Sequence, residues 1–201
     1  MNSIEDQIRE INWKNPNEVI DFYESNALYY NNYQNVDSTD KINDFLTIKL
    51  HYANSLFDNS RFAKVTEVLE QVRELLNELG KDHWNYEQSE RHERFLTGMV
   101  LGKKQQFKAS HSIFKRLVKE DPEHYYYQVW YDHTRIGLYN WLFNLFSYGG
   151  LALILLDLVF ELDEKLTFDP GLVGLVLATF SFLTQKGISE YYKKKKAANK
   201  R

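Results

Sequence analysis

The sequence predicts an all-α chain in two parts, a domain of paired helices followed by two apolar helices that form a transmembrane hairpin. Three observations predict it. Apolar residues recur at helical spacing: Leu46, Leu50, Ala53 and Phe57 are separated by four, three and four positions. Short polar turns such as Asp58-Asn59-Ser60 punctuate these stretches, with no alternating strand run bounded by Asn-Gly or Asp-Gly. Two apolar runs, Leu138–Leu162 and Phe168–Gln185, then precede a lysine-rich tail.

Taken in order, Asn15-Pro16 is a helix-start signal: asparagine caps and proline occupies the first turn. A helix is expected over about 16–31, then a polar loop over 31–40. Ser38 or Thr39 is placed to cap a helix over about 40–57. The next covers about 61–79, with Val65, Val68, Leu69, Val72, Leu75, Leu76 and Leu79 on one face and Gly80 as its C-cap. After a polar connector, helices are expected over about 86–101 and 105–119. Gly102-Lys103-Lys104 turns the chain between them, and Asp121-Pro122 ends the second. A last helix begins near Pro122 and runs toward the first apolar run without a required break.

Two of these helix pairs carry a repeating pattern. Gly98, Leu101, Phe107, Ser110, Phe114, Leu117 and Pro122 resemble the small, large, aromatic, small, aromatic, apolar and proline positions of the tetratricopeptide repeat. Ala53, Leu56, Phe62, Val65, Leu69 and Val72 fall at the same positions, with Val65 in place of the small residue and Asn77 in place of the proline. Phe62 and Phe107 are 45 residues apart rather than the family's 34, so the resemblance is to a degenerate repeat over about 40–137. It implies stacked helix pairs with a concave face for a protein partner, and no chemistry. Lys49, Asn54, Arg94 and Met99, from the first helix of each pair, are the candidate partner-binding residues.

The hairpin follows from length and charge. Leu138–Leu162 reaches about 37 Å at about 1.5 Å per residue, enough for a hydrocarbon core of about 30 Å. Phe168–Gln185 reaches about 27 Å, and more if the helix continues through Ile188. Residues 163–167 bridge the two, so they are expected to run antiparallel. The domains expected are therefore 1–137, facing the cytoplasm; 138–192, with crossings at about 138–162 and 168–188; and a basic tail, 193–201. Glu161, Asp163, Glu164 and Asp169 cluster at the bridge, whereas Lys193, Lys194, Lys195 and Lys196 follow the second run. Lysine-rich flanks stay cytoplasmic, which places both termini on that side of the inner membrane and the tail against anionic lipid. Met1 to Glu10 is polar and acidic, so the anchor is expected to be internal rather than a cleaved leader. Gly149, Gly150, Gly171 and Gly174 are candidates for close packing within the hairpin or between copies of it.

Composition and motif searches narrow the chemistry. The net charge of −3 hides an asymmetry: Met1–Glu93 holds 18 acids and 9 bases, whereas Arg94–Lys119 holds seven bases and no acid. Lys104, Lys108, Lys115 and Lys119 share one helical spacing, a basic stripe suited to lipid head groups, an acidic partner or nucleic acid. The absence of cysteine excludes disulfides and thiol chemistry. There is no phosphate-cradling glycine loop, nucleophile elbow, paired-histidine zinc motif or arginine–histidine pair at nuclease spacing. His92 with Glu90 and Glu93 reads as a solvated helix face. Tyr125, Tyr126, Tyr127, Trp130 and Tyr131 read as packing aromatics rather than base-stacking groups, because acids rather than bases interleave them.

The expectation is thus a non-enzymatic, membrane-anchored adaptor without cofactor or metal, its partners being lipid, a protein and, through the hairpin, a second copy. The alternative is an oligomerising, pore-forming effector. Its layout is similar in outline to small membrane accessory proteins of prokaryotic antiviral systems, including CRISPR loci, a likeness that no residue motif carries.

Overall fold

The computed structural model describes residues 4–32, 38–160 and 169–198. The expected bridge at 163–167 and residues 33–37 of the expected loop at 31–40 lie outside them. The described residues form helices α1 (Ile4–Glu10), α2 (Pro16–Ser25), α3 (Ala27–Asn31), α4 (Thr39–Asp58), α5 (Phe62–Leu79), α6 (Tyr86–Lys103), α7 (Phe107–Glu120), α8 (Tyr125–Phe160) and α9 (Pro170–Ala198). The chain divides into two units, Met1–Arg135 and Ile136–Arg201, with the boundary inside α8.

In the first unit, α4 packs against α5 and α6 against α7, and α4 and α5 both meet α6. This packing is compatible with a helical repeat. The two tight turns match at an offset of 45 residues. The amide of Arg61 donates to the carbonyl of Leu56 at 2.9 Å, and that of Ser60 to Phe57 at 2.9 Å. Their counterparts are Gln106 to Leu101 at 2.9 Å and Gln105 to Gly102 at 3.1 Å. Each turn is a Schellman closure with a left-handed residue, Ser60 at φ 60° and Gln105 at φ 61°. A side chain is strained there, so these positions would suit glycine. Most of the aligned apolar positions are buried, Ala53, Leu56, Val65, Leu69 and Val72 in the first pair and Phe114 and Leu117 in the second, whereas Phe62, Leu101 and Phe107 are half-buried.

The pairs differ by a size exchange. Gly98 and Phe114 stand where the first pair has Ala53 and Leu69. A Cβ at Gly98 would lie 2.8 Å from Phe114 Cε2, so glycine makes room for the larger ring. Ser110 is fully buried and satisfies its hydroxyl by donating to the Gly98 carbonyl at 2.6 Å. The start of α8 completes the stack. Trp130 lies parallel to Phe114 at 5.7 Å, Tyr127 tilts on Phe95 at 5.4 Å, and Tyr131 stacks on His111 at 4.7 Å.

The N-terminal helices differ from expectation in two respects. Residues 4–10 are helical because Ile4 and Ile8, one turn apart, pack on the core. The helix expected over 16–31 breaks at Asn26, whose Nδ2 donates to the Phe22 carbonyl at 2.9 Å and to Gln7 Oε1 at 3.1 Å. Asn15 caps α2 as its sequence signals, accepting from the Asn17 amide at 3.2 Å. Ser38 occupies the N-cap of α4 with no side-chain capping bond.

Candidate functional site

The second unit carries most of the exposed large apolar side chains among the described residues. Gly150 on α8 and Gly174 on α9 bring the two backbones together. A Cβ at Gly150 would lie 2.5 Å from the Gly174 carbonyl oxygen, and one at Gly174 would press on the Gly150 carbonyl oxygen. Ser181 Oγ donates to the Phe143 carbonyl at 2.8 Å. Residue numbers rise on one helix as they fall on the other, so the helices run antiparallel. Outward, Leu145, Leu151, Leu155, Leu158, Leu172, Val176, Phe182 and Leu183 stand exposed, Leu158 by 78% and Phe182 by 65%. Tyr125–Leu156 is the one helix among the described residues long and apolar enough to cross a membrane, at mean hydropathy 1.3, and 6% of its most apolar window is buried. The apolar part of α9, Pro170–Thr184, is shorter.

Of the four glycines, Gly150 and Gly174 form this contact. Gly149 has no atom of another element within 4 Å of a Cβ built on it, and Gly171 is half-buried. Lys193, Lys194, Lys195 and Lys196 fall in the last turns of α9, and their side chains lie outside the described set.

The candidate groove residues do not form a surface. Lys49 is fully buried. Its ammonium donates to Tyr23 Oη at 2.8 Å, Asn31 Oδ1 at 3.0 Å and Gln71 Oε1 at 2.5 Å, and lies 5.5 Å from the Tyr23 ring centroid. Burial pulls its pKa down to about 8, with Glu74 opposing the shift. The reason is geometric: α2, α3 and α5 supply three oxygens that replace water around the ammonium projecting from α4. Met99 is buried as well. Arg94 is half-buried and bidentate to Glu120, at 2.7 and 2.8 Å, with Glu90 at 3.5 Å. That bond raises the Arg94 pKa and holds the Glu120 carboxyl below its usual range. Asn54 is half-buried.

The basic stripe is reduced by one. Lys104 is the C-cap of α6, in the turn, with its ammonium donating to Thr66 Oγ1 at 3.1 Å. Lys108, Lys115 and Lys119 are exposed along α7, with Arg116 beside them. The expected solvated face around His92 is solvated only in part, at Glu90, whose side chain is 41% exposed. Glu93 is buried and accepts from Arg73 Nε at 2.8 Å and Thr97 Oγ1 at 2.7 Å. His92 is half-buried, its pKa pushed down by burial and then by nearby His51. His51 leans on Trp13 at 4.9 Å, and His124 stacks on Tyr127 at 3.7 Å. His51 and His124 thus contact aromatic rings, which no spacing rule reveals. Among the described residues no three His, Asp or Glu side chains could hold a metal ion.

Comparison with protein-family models, with curated proteins and with solved structures finds no match for this chain.

Proposed function

We propose that the chain is a membrane-anchored adaptor. α8 and α9 cross the cytoplasmic membrane as a hairpin, and the helical-repeat unit holds a protein partner at its cytoplasmic face. The observation that carries the reading is the unburied apolar surface of the second unit, where Leu, Val and Phe side chains face outward around both helices. Water would make that surface an aggregation site, whereas lipid solvates it. Two of its hydroxyls are bonded to the backbone: Ser181 donates to the Phe143 carbonyl, and Thr184 Oγ1 donates to the Phe180 carbonyl at 2.7 Å. Lys186 and the lysines beyond it favour the cytoplasm at that end. The matched turns at an offset of 45 residues support a repeat scaffold, and such scaffolds bind partners. The exposed Lys108, Lys115, Arg116 and Lys119 favour an acidic one.

The test has two arms. In alkaline carbonate extraction the full-length chain should stay with the membranes. Purified in mild detergent, it should retain a defined protein, and reversing the charge of Lys108, Lys115 and Lys119 should release it. A chain recovered in the carbonate supernatant would end the anchor reading. A partner that ignores the charge reversal would end the assignment of the α7 face.

A further inference from the structure

The antiparallel contact fixes a register with a consequence for the kind of bilayer. The following rests on the membrane reading above. Gly174 faces Gly150 and Ile154, and Ser181 bonds Phe143. Counting outward along both backbones, Asp169 stands level with position 157, which is also aspartate, and Lys186 level with Tyr139. At one end, then, both helices carry an aspartate at the same backbone level. Between Asp169 and Lys186 lie residues 170–185, about 24 Å of helix.

Neither end is well placed to stretch that belt. The Asp169 carboxylate is occupied at the helix end, Oδ1 accepting from the Leu172 amide at 2.8 Å. It cannot reach outward without uncapping α9. Lys186 is exposed, but Cα–Cβ bonds tilt toward a helix's N-terminus, which for α9 is toward the centre of the belt. Its stem leaves the backbone in the wrong direction for snorkelling.

We propose that the α8–α9 pair is fitted to thin hydrocarbon: the apolar stretch of its shorter member α9, bounded by Asp169 at one end and Lys186 at the other, sets a lipid layer of about 24 Å rather than the ordinary 30 Å or so. In thicker membranes the pair is too short, and it clusters or draws the bilayer inward around itself. Tilting cannot relieve this, because tilt shortens the projected belt further.

The experiment is reconstitution of the full-length chain into phosphatidylcholine vesicles with myristoleoyl, palmitoleoyl, oleoyl, eicosenoyl or erucoyl chains. Because the chain has no cysteine, Ser112→Cys on the exposed side of α7 provides one labelling site. Energy transfer between labelled copies then reports clustering. Transfer should be lowest in myristoleoyl or palmitoleoyl vesicles and rise several-fold toward erucoyl. Lys186→Leu extends the belt through Ile188, by about 4.5 Å, and should move the minimum to oleoyl. A minimum at oleoyl or longer for the unmodified chain overturns the proposal, as does a flat profile or an unmoved minimum in Lys186→Leu. A flat profile with full insertion leaves the anchor standing. Failure to float with any vesicle removes the anchor and this inference together.

Discussion

Gly98→Ala probes whether the second helix pair is held by a size exchange or merely tolerates a glycine. Helix propensity alone favours alanine by about 1 kcal/mol in a helix interior. Packing opposes it. The new Cβ would lie 2.8 Å from Phe114 Cε2, 2.9 Å from Cζ and 3.2 Å from Ile113 Cγ2. The ring has little freedom to retreat, because Phe114 is fully buried, parallel to Trp130 at 5.7 Å and edge-on to Phe95 at 5.9 Å. Overpacking of such a site costs about 2–3 kcal/mol, so the net expectation is a loss of about 1–2 kcal/mol. Phe114→Leu, the residue the first pair carries at Leu69, should cost about 1 kcal/mol alone through the cavity it leaves. Combined, the two substitutions recreate the first pair's alanine and leucine. The double variant should be at least about 1 kcal/mol more stable than the sum of the single losses. Urea unfolding in detergent, followed by helical circular dichroism, measures all three. A Gly98→Ala variant as stable as the parent, or a cycle with no coupling, would refute the packing argument.

Three further outcomes are expected. Ser60→Gly and Gln105→Gly should each raise stability by about 0.5–1 kcal/mol in the same unfolding assay, because both residues hold a left-handed backbone. Lys49 has a folded pKa of about 8, below its value in the unfolded chain. The unfolded state therefore binds more protons above about pH 8, and the unfolding free energy of the parent should rise relative to Lys49→Met between about pH 8 and 10, with no such difference in slope below. Gly174→Leu should separate α8 from α9, so that a disulfide engineered across positions 143 and 181, efficient in the parent, no longer forms.

What could be read in advance was what obeys periodicity and turn chemistry. The helix pairs, the alignment of Phe62 with Phe107 and the Asn15 cap all follow from local residue patterns, and the turn hydrogen bonds repeat where those patterns align. Single polar residues resisted reading because burial is decided by distant partners. Lys49 and Glu93 look like surface charges until Gln71 and Arg73, more than 19 residues away, supply their hydrogen bonds. Lys104 has the spacing of its neighbours on α7, yet the turn closes one residue later at Gln105 and leaves it outside the helix. The apolar runs were plain from hydropathy. Their register was not, because it depends on two glycines three-dimensionally opposed across 24 positions.

The central claim is that lipid surrounds the outward faces of α8 and α9. Single cysteines at Leu155, Val176 and Lys108, added to this cysteine-free chain, test it in intact cytoplasmic membranes with a charged maleimide. Leu155→Cys and Val176→Cys should resist labelling until detergent is added, while Lys108→Cys labels as soon as the cytoplasmic face is opened. Labelling of the first two at the rate of the third, without detergent, would contradict the account.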